Sequence, residues 1–159
     1  MKPSTSDDTL LCPSAPADWP QARVVGVIGG SAAQPRMRPL AKPLPLSAEL
    51  LALAGPVAPT EVFRIAAPCA QHGCRHFGQG SCHLAGKVVD LLPAVVERLP
   101  FCTMRASCRW FRQEGRAACI RCPQVVTDNP NASLSMRTAA DPQVPRAEEA
   151  AATASPEPS

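Results

Sequence analysis

The sequence has no tyrosine, and only four phenylalanines and two tryptophans in 159 residues. A large core filled by aromatic side chains is therefore excluded. The apolar content rests mainly on alanine, which buries little area. No run approaches the ~20 apolar residues of a membrane span. Residues 1–8 are polar and acidic and lack the apolar stretch of a signal peptide. Leu10-Leu11-Cys12 echoes a lipoprotein cleavage site, but no hydrophobic region precedes it. The expected compartment is the cytoplasm, where clustered cysteines serve metal or redox chemistry more often than disulfides.

Cysteine and proline are abundant, at eight and nineteen residues. Seven cysteines and all three histidines fall within residues 69–122, and that stretch is written twice. Cys69, Cys74 and Cys82 of the first copy match Cys102, Cys108 and Cys119 of the second. After the middle cysteine come Arg75-His76-Phe77 with Gln79, then Arg109-Trp110-Phe111 with Gln113. Val pairs begin six residues past the third cysteine, at Val88 and Val125. Only the second copy has a fourth cysteine, Cys122; Ala85 stands at the matching place in the first.

Thiolates at such spacing hold metal. Cys119 and Cys122 form a C-x-x-C pair whose sulfurs converge from one turn, and Pro123 follows, as after cluster cysteines in small ferredoxins. With Cys102 and Cys108 they make four ligands at irregular spacing, which fits a [4Fe–4S] cluster better than zinc. In the first copy Cys69, Cys74 and Cys82 need a fourth ligand. His72 is the best placed, ahead of His76 and His83; otherwise the position is open for exchange or for activating water. The plainer reading of each histidine is a loop residue. Cys12, far from the motif, reads as an unpaired tail cysteine.

Around the motif, eight basic residues face three acidic ones over residues 69–126. This charge either attracts nucleic acid or offsets metal-bound thiolates; the cysteine count favours the second. Cys74, beside Arg75 and His76, is a weak candidate nucleophile, and no catalytic residue is assigned. The rings His76-Phe77 and Trp110-Phe111 read as core that also shields a cluster.

The remaining chain supports this motif. Residues 1–20 and 127–159 are poor in large apolar side chains and are expected to be disordered. Residues 21–68 are expected to form a small supporting element. Residues 23–28 and 61–66 read as strands, and residues 47–54 as a short helix capped by Ser47. Gly26, Gly29 and Gly30 do not make a phosphate loop, because Pro35 and Pro39 forbid the helix it would feed. Residues 84–100 have helical spacing and predict one helix, or two broken at Pro93. The expected fold is a small metal-stapled α+β domain, irregular and loop-rich, with short helices between the cysteine motifs.

Residues 74–127 resemble small cysteine-rich bacterial proteins, some labelled as nitrogen-fixation proteins. That resemblance implies an accessory role near iron–sulfur metabolism or electron supply to a metalloenzyme, and carries no activity with it. The sequence therefore points to an iron–sulfur protein for electron transfer or redox or cluster sensing, serving a partner protein. The alternative is a zinc-stapled adaptor or regulator that binds a protein or nucleic acid. An enzyme with an open metal position is the third class.

Overall fold

A computed structural model describes residues 10–146. Its centre is a four-stranded antiparallel sheet in the order β1-β4-β2-β3. The strands are β1 (Leu11–Cys12), β2 (Arg23–Gly30), β3 (Pro35–Pro45) and β4 (Phe63–Pro68). The expected strands at 23–28 and 61–66 correspond to β2 and β4. Ser47 caps α1 (Ala48–Ala52), its side chain accepting from the Leu50 amide at 3.1 Å. A single turn, α2 (Pro59–Val62), leads into β4.

Strand β3 has no counterpart in the sequence expectations, because Pro35, Pro39, Pro43 and Pro45 argue against a strand. Its place at the sheet edge removes the objection: an edge residue needs no amide donor on its outer side. At the paired position Gly26, where β2 bulges, a methyl group would stand 2.9 Å from the Arg38 carbonyl and against the Met37 side chain. Only glycine lets the two strands approach there.

The alternation along β4 divides the molecule. Phe63, Ile65 and Ala67 pack with Ala15, Ala22, Val24 and Ala54 on one face. Arg64 and Ala66 point to the other face, where Ala66 meets Val25, Val88, Met104, Cys108 and Trp110. All the helices of the cysteine region lie on this second side. The hairpin β5 (Phe77–Gly78) and β6 (Ser81–Cys82) leads into α3 (His83–Leu91), followed by α4 (Arg109–Glu114) and α5 (Arg116–Cys119).

Three expectations change. Leu11 and Cys12, within the stretch expected to be disordered, form β1: they pair with Pro68 and Ala67, and Leu10 is buried. Residues 127–146, also expected to be disordered, contain α6 (Leu134–Ala140), which Ser133 caps and which buries Ala139 beside α3. The second half of the expected helical stretch, residues 94–100, is not helical. Pro93 and Pro100 leave too few residues between them, and the backbone is engaged elsewhere. The Val95 amide donates to Ile120 O at 2.9 Å, and the carbonyls of Leu92 and Pro93 accept from Arg121 and Gln124. Residues 1–9 and 147–159 lie outside the described residues.

Candidate metal centre

The four cysteines of the second copy reach one cavity from three short elements. A 3-10 turn at Arg105–Ser107 ends at Cys108, which begins α4; Cys119 closes α5; Cys122 opens a 3-10 turn with Pro123 and Gln124. Cys102 lies in the extended stretch before them. All four line an apolar cavity of ≈ 50 Å³, walled by Trp110, Phe111, Met104 and Val25. That is room for a few water-sized groups. Burial first, then the nearby Cys122 and Cys102, push the Cys108 thiol up to about 12. Burial likewise raises Cys119, against the opposing hydrogen bond and charge of Arg105.

Donors surround this cavity. Arg64, 1% exposed, sends Nη1 to the Cys122 sulfur at 3.0 Å. Its other contacts are the carbonyls of Pro13 (3.2 Å), Val125 (2.6 Å) and Cys122. No carboxylate is among these partners, so the one ionisable group able to balance a buried guanidinium here is the Cys122 thiol. A buried cation is tolerated only with such compensation. Arg105 bonds Cys119 and lies over the Phe111 ring, 6.0 Å from its centre. Three nitrogens of cavity-lining residues (Arg64 Nε, Arg105 Nε and Trp110 Nε1) are buried and have no acceptor among the described residues.

The first copy lies at the end of the sheet, where β4 runs into Cys69. A 3-10 turn at Gln71–Gly73 ends at Cys74, and Cys82 caps α3, accepting from the Ala85 amide at 3.4 Å. Arg109 of the second copy, 4% exposed, donates Nε to the Cys69 sulfur at 3.1 Å and covers the Phe77 ring. Gln113 clasps Cys82 through both of its backbone groups, at 2.7 and 2.8 Å. Each copy is thus braced by a residue lying outside it: Arg64 reaches the second, Arg109 and Gln113 the first.

The histidines are dispersed. His72 is exposed and meets Phe77 edge-on, with 5.2 Å between ring centres. His83 Nε2 is 3.1 Å from Gly78 O. His76 is half-buried, its pKa lowered by burial first and then by Lys87, Arg75 and His83. Among the described residues, no three His, Cys, Asp or Glu side chains are gathered into a site for a single metal ion. No disulfide is formed among the described cysteines.

Sequence reasoning missed Arg64. Its signal was present: one charged residue inside the apolar run Val62-Phe63-Arg64-Ile65-Ala66. No protein-family model, curated protein or solved structure matches the chain.

Proposed function

We propose that the chain is a small iron–sulfur protein whose Cys102, Cys108, Cys119 and Cys122 hold a [4Fe–4S] cluster. It would serve electron transfer or redox or cluster sensing for a partner protein in the cytoplasm. The carrying observation is the set of buried N–H donors without acceptors around a cavity lined by four cysteines. A lone zinc ion offers such donors nothing beyond its thiolates. A cluster also offers inorganic sulfides, and hydrogen bonds to sulfur are a main control of cluster potential. When bound, the cluster would supply a one-electron couple. The protein's own part is to supply thiolates, donate from Arg64, Arg105 and Trp110, and exclude water with Trp110 and Phe111.

The basic residues also support this reading over nucleic-acid binding. Lys87 and Arg109 are buried. Arg121 bonds the carbonyls of Leu92 and Ala117, and Arg116 that of Glu97. Much of the positive charge counted in the sequence is turned inward. No helix among the described residues is long and apolar enough to cross a membrane.

Replacing Cys119 or Cys122 with alanine tests the ligand set. Each variant, purified without oxygen, should lose the metal of this site and much of its folding stability. Full metal content and unchanged stability in both variants would refute the assignment.

A further inference from the structure

The first copy has three cysteines, and the position matching Cys122 is filled by Ala85, wholly buried in the core. Strand β1 brings a fourth cysteine to that region. Cys12 is paired with Ala67, Leu11 with Pro68, and the Cys69 amide donates to Leu10 O at 2.8 Å. Residues opposite one another in an antiparallel pair share a face, as do alternate residues along each strand. Cys12 and Cys69 are therefore diagonal neighbours on one face, a separation long side chains can bridge. β1 also lies between the two copies, since Leu11 bridges to Cys108.

We propose that Cys12, Cys69, Cys74 and Cys82 form a second four-thiolate centre, so that the chain carries two iron–sulfur clusters. This rests on the iron–sulfur reading of the second copy. The four sulfurs share one local pattern. Each accepts a backbone N–H from a residue two or three places downstream: Gln71 to Cys69, His76 to Cys74 and Ala85 to Cys82, all at 3.4 Å, and Ser14 to Cys12. Amide donors of this kind stabilise anionic sulfur and tune a bound cluster. The guanidinium of Arg109 against Cys69 adds positive charge, as Arg64 does at Cys122. The Cys12 thiol is pushed up to about 12, mainly by burial. Cys82, Cys69 and Cys74 push it in the same direction, which places all four within electrostatic reach. His72, exposed against Phe77, is not needed as a ligand.

The test is anaerobic reconstitution of the full chain with ferrous iron and sulfide, followed by iron counting and electron paramagnetic resonance of the reduced protein. The wild-type chain should take up about eight iron atoms. Cys12→Ala should lose between about one and four of them, through a three-iron form or complete loss of the first centre. The signal of the second centre, retained in that variant, reports that the fold survives. His72→Ala should match wild type. Wild-type iron content and spectra in Cys12→Ala would overturn the proposal, as would loss of the first centre in His72→Ala. A wild-type chain holding about four irons, all lost in Cys119→Ala, would also overturn it while leaving the second-copy reading intact. A chain that takes up no iron defeats both readings.

Discussion

The guanidinium of Arg64 meets the sulfur of Cys122 at 3.0 Å across 58 residues of sequence. It is the fixed point between the sheet and the cysteine region. The same side chain bonds the carbonyls of Pro13, Cys122 and Val125, so it ties the N-terminal segment to the end of the second copy. Buried in this way, it contributes to the fold and sets the charge of the site together.

Arg64→Leu should therefore act twice. Three carbonyls lose their donor, and each buried unpaired group costs about 1–3 kcal/mol, so a loss of about 3 kcal/mol or more is expected in a urea titration. In the loaded protein the midpoint potential should fall, because a cation and a sulfur hydrogen bond are both removed. Arg64→Lys keeps the charge but cannot reach all partners, and should lie between the two proteins on both scales.

Trp110→Phe separates stability from redox tuning. The ring volume is largely retained and the unsatisfied Nε1 donor is removed. The metal-free variant should stay within about 1 kcal/mol of wild type. The loaded variant should have a more negative midpoint potential in protein-film voltammetry. An unchanged potential would show that the indole does not donate to the cluster.

The raised thiols make the metal-free chain sensitive to alkali. Cys12 and Cys108 are pushed up to about 12 and Cys82 to about 11, whereas an unfolded cysteine titrates near about 8.5. Below that value both states keep their protons and stability is full. Above it the unfolded chain releases protons that the folded one retains, so stability should fall steadily up to pH of about 11–12. Urea midpoints at pH 7, 9 and 10.5 check the direction. For the same reason loading at neutral pH should release protons, measurable by calorimetry in buffers of different ionisation enthalpy.

Within the sheet, Gly26→Ala should cost about 1–3 kcal/mol, since its methyl group is forced against Met37 and the Arg38 carbonyl. Gly29→Ala is the control: the nearest atom to its methyl group is Arg36 O at 3.6 Å, an ordinary contact. Equal thermal midpoints for the two variants would show that the β2–β3 approach is not tight at Gly26.

The parts legible in the sequence were those with local signals. Ser47 announced α1, the β-branched runs announced β2 and β4, and the apolar spacing from Leu84 announced α3. What stayed hidden depended on contacts distant in sequence. β1 is two residues long, and β4 holds it in place. β3 is full of proline and exists because the sheet edge tolerates it. Residues 94–100 have helical spacing, yet their backbone bonds go to the second copy. Helix α6 has few large side chains and is secured by packing on α3. The second copy's cysteines could be grouped from spacing alone. The roles of Arg64 and Cys12 could not, because each acts on partners more than fifty residues away.

The central claim is a cluster held by Cys102, Cys108, Cys119 and Cys122. Its most direct test is the absorption spectrum of the full chain purified without oxygen, with iron, acid-labile sulfide and zinc measured on the same sample. The account predicts a brown protein with broad visible absorption that bleaches on reduction, and iron and sulfide in equal amounts. A colourless protein with stoichiometric zinc and no iron would contradict it.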